Sequence, residues 1–390
     1  MVVAIQVGFE MSYPLVREYR PLIRLPPGQR PFRSCPELDG INHGDFIPPQ
    51  GSRFSHWGAG SYAVVFRIRE TTGNHIALRC LIAAPPVDVA DRYHQLEMFR
   101  KSVGSLLPYF VRADFVADAI SVNGQWFPVF LMEWIGGVTL GSYVESLALQ
   151  RDKPGLRRLA DDWSRMITDL QHSHVAHGDL QHGNAIITER GEIRLVDYDT
   201  VYVPSLAGRE SVAIGTPGYV HPCYFRGVER PYSEKMDTFS ALVIYLSLRA
   251  LAVSPELYGV YSSANLLLAD DDLFDAHNSR AFQALVFHSD QDVAQLARVV
   301  RDECLKSQES LSGFASFSGV QTAIPRIKHT APEAYEPGAS IRRGISSDYS
   351  PGTSIPRESS RRNRNGPPKP RPTTTPDYKP GGSIPRRPSP

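Results

Sequence analysis

Residues 177 to 184 read His-Gly-Asp-Leu-Gln-His-Gly-Asn, and Asp197-Tyr198-Asp199 follows at a short distance. Asp179, Asn184 and Asp197 are side chains that do phosphoryl-transfer chemistry when three loops bring them together. One carboxylate, Asp179, would face an acceptor hydroxyl and take its proton. The Asn184 amide oxygen and the Asp197 carboxylate would hold a divalent cation against polyphosphate oxygens.

Further residues fit a nucleotide pocket. Gly58-Ala-Gly60-Ser-Tyr-Ala63-Val-Val65 lies between two strand-like segments, where small residues let backbone amides approach phosphates. Ile76-Ala77-Leu78-Arg79 follows at strand spacing and offers a cation. Glu97, on the helical segment after it, is the candidate partner of Arg79. Alone, Glu97 would be read as a solvated helix residue. Met132-Glu133-Trp134 closes a strand and is placed to meet an adenine ring. His172, His174, His177 and His182 crowd the same region, but their spacing suits a zinc set poorly, so loop packing is their expected role.

The elements that must position these residues are legible in the pattern. Tyr62 to Arg69 and His75 to Ile82 alternate as strands around a Thr-Thr-Gly-Asn turn, with Phe54 to Gly58 before them. Asp88 to Leu107 reads as a helix. Phe115 to Val122 and Trp126 to Trp134 flank Asn123-Gly124, a strong hairpin signal. Helical patterns follow at 139 to 149 and 155 to 174. A strand pair, 185 to 188 and 192 to 196, precedes the apolar helix 237 to 250. The expected fold class is α+β: a β-rich first lobe over residues 51–135 and an α-helical second lobe over 136–312. An extended, Pro- and Arg-rich leader occupies 1–50, and a disordered Pro/Arg/Ser-rich tail 313–390.

That tail repeats Tyr-x-Pro-Gly-x-Ser-Ile at Tyr335–Ile341, Tyr349–Ile355 and Tyr378–Ile384. It reads either as a solvating linker or as a multivalent ligand. Lys+Arg is 42 against Asp+Glu 41, which favours neither nucleic acid nor an anionic membrane as partner. Four dispersed cysteines form no disulfide framework or metal spacing, so a reducing, cytoplasmic setting is expected. The apolar run 239 to 253 is too short to span a bilayer.

Together these motifs resemble the eukaryotic-type Ser/Thr protein kinase fold, over about two thirds of the chain. The wording His-Gly-Asp-Leu-Gln-His-Gly-Asn, then Asp-Tyr-Asp, then His221-Pro222, resembles a bacterial branch of that superfamily. The resemblance implies ATP and Mg2+ as cofactors and protein hydroxyls as acceptors, with the tail's Ser340, Ser354 and Ser383 among the candidates. It implies that Gly215-Thr216-Pro217-Gly218-Tyr219 closes an activation segment and that Asp237 supports the catalytic loop from below. A partner phosphatase or signalling module is suggested by the company such bacterial proteins keep.

The chain departs from that pattern at five places. Arg79 stands for Lys, Gly178 for the Arg before the catalytic Asp, and Gln181 for a Lys near the transferred group. Asp199 stands for Gly and Cys223 for a Glu that pairs with a buried Arg. These leave two alternatives beside an active protein kinase: a pseudokinase scaffold, and a small-molecule phosphotransferase, whose loops are similar.

Overall fold

The computed structural model describes residues 12–49, 58–59, 62–85, 88–104, 107–261 and 265–314. Gly60, most of the expected strand at Phe54, and the tail with its repeats lie outside the described residues.

The first region departs from the expected extended leader. It forms helices α1 (Val16–Ile23) and α2 (Pro36–Asn42) and a short strand, β1 (Asp45–Ile47). A two-turn stripe hidden in a Pro- and Arg-rich composition accounts for this. Tyr19 and Ile23 are four apart and Leu38 and Ile41 three apart, and all four are fully buried. They pack on Val64, Phe66 and Ile68, the outer face of the first sheet. Arg30, itself buried, donates to the carbonyls of Ile23, Ile41 and Gly44 at 2.8, 2.9 and 2.9 Å. One guanidinium thus satisfies orphan carbonyls at the ends of both helices.

The first sheet also contains β2 (Gly58–Ala59), β3 (Ala63–Arg69), β4 (His75–Leu81), β5 (Ala113–Val122) and β6 (Gln125–Glu133), with helix α3 (Val89–Val103) between β4 and β5. Its order is β1-β3-β4-β6-β5, and β2 shares the β3 edge with β1. The hairpin at Asn123-Gly124 forms as expected, both residues taking positive φ, 52° and 81°. Alternation along β3 and β4 turns Val64, Phe66, Leu78 and Cys80 outward, beneath α1 and α2. It turns Ala63, Ala77 and Leu81 toward the second lobe.

Gly137 opens the second lobe at φ +153°, where a Cβ would lie 2.2 Å from the Ile187 carbonyl oxygen, so glycine is required there. A three-stranded sheet is formed by β7 (Gly137–Thr139), β8 (Ala185–Thr188) and β9 (Ile193–Leu195), and the loop 177–184 leads into β8. Helices α4 (Leu140–Leu149) and α5 (Lys153–His172) start on Thr139 and Asp152, whose side chains accept N–H groups of the first turn. After the short α6 (Pro222–Phe225), helix α7 (Thr238–Val253) is buried almost throughout and packs on α5, where Trp163 donates to the Ala241 carbonyl at 3.2 Å. Helices α8 (Leu257–Tyr261), α9 (Asp270–Phe274), α10 (Arg280–Val286) and α11 (Gln291–Cys304) complete the lobe. The architecture is the expected α+β, kinase-like arrangement of a β-rich lobe on a helical one. Among the described residues, no helix is long and apolar enough to cross a membrane, and the four cysteines are unpaired.

The packing of the leader helix is testable. Ile23→Ala should lower stability by about 2–5 kcal/mol, the usual cost of a buried large-to-small change, measured as a shift in the urea midpoint.

Candidate active site

The loop 177–184 hangs from one carboxylate. Asp237, just before α7, accepts the backbone N–H of His177 and, at 2.9 Å, that of Gly178. His177 turns its ring to the Val196 carbonyl at 2.8 Å, and Thr200 Oγ1 donates to the His177 carbonyl at 3.1 Å. The loop is thereby tied to the segment that carries Asp197. His177 and His182 thus bond within the loop region, whereas His174 is exposed and faces Glu234 at 3.8 Å; among the described residues, no group of three or more His, Cys, Asp or Glu could hold a metal by itself.

Asp179 projects from this loop. Its Oδ1 accepts both the backbone N–H and the hydroxyl of Thr216, at 2.9 and 2.8 Å. Asn184 donates its Nδ2 to the Asp179 backbone carbonyl at 2.9 Å and lies 3.4 Å from Asp179 Oδ2. This use of the nitrogen directs the amide oxygen the other way. The Asn184 carbonyl receives the Val196 N–H at 2.9 Å, which sets Asp197 beside it. Asp197 has φ +70°, a left-handed kink that few non-glycine residues adopt. The side chains of Asp179 and Asn184 are therefore neighbours, and Asp197 follows Val196, which the Asn184 backbone holds. An amide oxygen and a carboxylate are hard oxygen donors of the kind Mg2+ takes, and such sites use few protein ligands beside phosphate oxygens. The residues present fit that ion.

Arg79 departs from expectation. Its Nη2 donates to Asp197 Oδ1 at 3.0 Å and reaches Asp199 Oδ2 at 3.4 Å, while Nη1 donates to the Tyr93 hydroxyl at 3.0 Å. The expected partner, Glu97, is not engaged with it. Glu97 is also not a solvated residue: it is 8% exposed and takes both donors of Arg100 on its own helix, at 2.7 and 2.8 Å. Burial opposes the charge on Glu97, but Arg100 outweighs it and holds the carboxyl below its usual range. Burial likewise opposes the charge on Arg79, yet Asp197 and Asp199 raise its pKa well above the ordinary value.

The other departures resolve individually. Asp199 accepts from Tyr93 at 2.8 Å as well as from Arg79, so it anchors a cation and a hydroxyl. Burial pushes its carboxyl up, against the pull of Arg79. Gln181 is buried and turned back on the Gly183 N–H at 3.3 Å. Cys223 is buried in a small apolar cluster. The buried Arg230 instead donates to the carbonyls of Gly178, Ile214 and Met236, each at 2.7 Å. Gly178 has φ +83°, and a Cβ there would sit 2.3 Å from the Thr200 carbonyl oxygen, so an arginine has no room.

The segment from Asp197 to Tyr219 is held against α3 by polar contacts at the start of that helix. Arg209 on the segment pairs with Asp91 and, at 3.4 Å, with Asp88 of the helix start. Arg92, 1% exposed, donates to the Glu210 carbonyl at 3.1 Å and lies over the Tyr232 ring. The hydroxyls of Thr200 and Ser211 are buried and already donate to the His177 and Ala213 carbonyls.

Several residues expected to line a nucleotide are neighbours in the first sheet. Val65 pairs with Arg79 and with Gly58, and Ala77 pairs with Met132. The N–H groups of Glu133 and Trp134 are committed to the Arg112 and His75 carbonyls, at 3.1 and 2.9 Å. Sequence reasoning missed Tyr93, the Thr216 contact, Arg230 and the Arg209 pairs. Tyr93 carried a signal: it lies one helical turn before Glu97, on the same face of α3.

No protein-family model matches the chain. Among curated proteins, 119 residues, 30% of this chain, are 24% identical to the serine/threonine-protein kinase dst2 of Dictyostelium discoideum. A stretch of 113 residues, 28% of the chain, is 26% identical to the probable serine/threonine-protein kinase mkcD of the same organism. Over 184 residues, 47% of the chain, identity to serine/threonine-protein kinase 1 of Arabidopsis thaliana is 21%. The similarity is to serine/threonine protein kinases. It is distant, and the match spans only 10%, 16% and 21% of those relatives' own lengths.

Two outcomes test this geometry. Gly178→Arg, a change toward the residue usual in the resembled family, should destabilise the protein by about 2 kcal/mol or more, because it forces a left-handed backbone and a clash; thermal melting measures it. His182, bonded to the Tyr219 hydroxyl, is held by burial at a pKa of about 4 against an ordinary 6.5. Its folded-state pKa is depressed, so the folded loop resists a proton that the unfolded chain accepts. Stability from this site is full above pH 6.5 and is lost as pH falls toward 4. Urea midpoints at pH 7 and pH 5 should differ more for the natural protein than for His182→Gln.

Proposed function

We propose that the chain is an ATP- and Mg2+-dependent Ser/Thr protein kinase that transfers the γ-phosphoryl group to protein hydroxyls, its own tail serines among them. The observation that carries this reading is the convergence of Asp179, Asn184 and Asp197, with Asp179 bonded to Thr216 at the end of the following segment. The similarity to Ser/Thr protein kinases supports it over a small-molecule phosphotransferase.

In this reading Asp179 orients the acceptor hydroxyl and takes its proton. The Asn184 amide oxygen and the Asp197 carboxylate hold Mg2+, which would neutralise charge on the nucleotide phosphates. Arg79 supplies a cation from the strand above. Ala63, Val65, Ala77 and Met132 form the apolar wall for an adenine, and the hinge backbone after Met132 meets its edge. The Glu133 and Trp134 amides are spent within the sheet, so the Glu133 carbonyl and the N–H of Ile135 are the groups we assign to that edge. Gly58 and Gly60 would cover the phosphates. We also place the protein in the cytoplasm, in the bacterial branch, with the tail repeats as docking or phosphorylation sites for a partner module.

One observation favours a second reading, the pseudokinase: Arg79 already occupies an oxygen of Asp197. Labelled ATP separates the two. The natural protein should incorporate phosphate in the presence of Mg2+, and Asp179→Asn should lower the rate by about a hundredfold or more, as for loss of a general base. Asp197→Ala should abolish incorporation together with the ATP-induced rise in melting temperature. Equal labelling of natural and variant proteins, or none in either, would sink the kinase reading for the substrates tried. Because Arg209 clamps the segment without phosphate, phosphatase-treated enzyme should keep its rate, whereas Arg209→Gln should lower it.

A further inference from the structure

Arg79 and Asp199 both depart from what the resemblance leads one to expect, and with Tyr93 they touch one another. We propose that Tyr93 and Asp199 are positioning residues that act through Arg79, the three forming one unit built for a guanidinium. The proposal rests on the kinase reading for its role in transfer, and on the coordinates for the unit itself.

The geometry closes a triangle. Arg79 Nη1 donates to the Tyr93 hydroxyl at 3.0 Å, and that hydroxyl donates to Asp199 Oδ1 at 2.8 Å. Asp199 in turn faces both Nη atoms, at 3.5 and 3.4 Å. The Phe130 ring packs against both members: it lies 5.2 Å from the guanidinium carbon and 4.5 Å from the Tyr93 ring. The side chains of Arg79 and Asp199 are 11% and 17% exposed, against 39% for Asp197.

Each member of the unit constrains the others. A guanidinium has two terminal nitrogens, so it reaches Tyr93 with one and Asp197 with the other; an ammonium is a single point and cannot span both. Asp199 in so buried a place needs a cation, and Arg79 supplies it. With Asp197 and Asp199 both facing Arg79, a third carboxylate from α3 would leave two negative charges in excess. A tyrosine hydroxyl completes the hydrogen bonds without adding charge, and Glu97 is released to Arg100 and Lys101. Tyr93 and Asp199 keep Nη1 in place, so Nη2 can turn from Asp197 to a phosphate oxygen when the nucleotide arrives. Asp197 is then freed for the metal.

The test is a double-mutant cycle of Tyr93→Phe and Arg79→Lys, read as KM for ATP, kcat, and melting temperature without nucleotide. Tyr93→Phe removes one oxygen. It should raise KM for ATP about tenfold, the worth of one hydrogen bond to a charged group, with a smaller change in kcat. In the Arg79→Lys background it should do nothing further. Asp199→Gly, which restores the residue usual in the family, should lower activity instead of raising it. An unchanged KM in Tyr93→Phe, or equal effects in both backgrounds, would overturn the proposal. Should the natural protein neither bind ATP nor transfer phosphate, the kinase reading fails, and the melting temperatures still judge the unit: non-additive shifts support it, additive shifts refute it.

Discussion

The carboxylate of Asp237 is buried beneath the loop 177–184, and its two oxygens are satisfied by two consecutive backbone N–H groups. Consecutive amides can converge on one anion only if the chain turns sharply, and Gly178 provides that turn with its positive φ. The turn aims Asp179 at Thr216 and leaves the Gly178 carbonyl to Arg230. The loop is thus positioned by backbone hydrogen bonds to the buried charges of Asp237 and Arg230, and the Asn184 and Asp179 side chains add bonds of their own to the loop and to Thr216.

Burial decides which charges matter. Arg33 and Asp118 lie at 3.4 Å, but both are more than half exposed, and such a pair contributes about 1 kcal/mol or less. Removing one member of a buried pair costs roughly 3–5 kcal/mol, because the other is stranded. Arg79 with Asp199 belongs to the second class, and Arg209 with Asp91, each partly exposed, lies between. This ordering explains how several familiar positions can change together. A buried ion is exchanged for another only with its partners, and Arg79 has Asp199 and Tyr93 beside it. The cation on the segment, Arg209, faces acids on α3.

Strands β3 to β6, β8 and β9, the Asn123-Gly124 hairpin, α3 and α5 lie within a few residues of where alternation and periodicity predict them. Each is encoded by a local rule of period or turn chemistry. The residues of the leader escaped because proline and arginine dominate its composition, although Tyr19, Ile23, Leu38 and Ile41 already held the spacing of a buried stripe. Glu97 escaped for a different reason. Its partner was assigned by analogy across the sheet, and Arg100, three residues along the same helix, was nearer.

The order of residues alone determined which side chains could do phosphoryl transfer and which segments would carry them, since spacing within a loop and periodicity within an element are local properties. Tertiary structure alone decided the pairing of charges. Arg79 chose Asp197, Asp199 and Tyr93 over Glu97 because they converge in the same poorly hydrated space, and an ion removed from water binds the counter-charges it meets there, however far along the chain they lie.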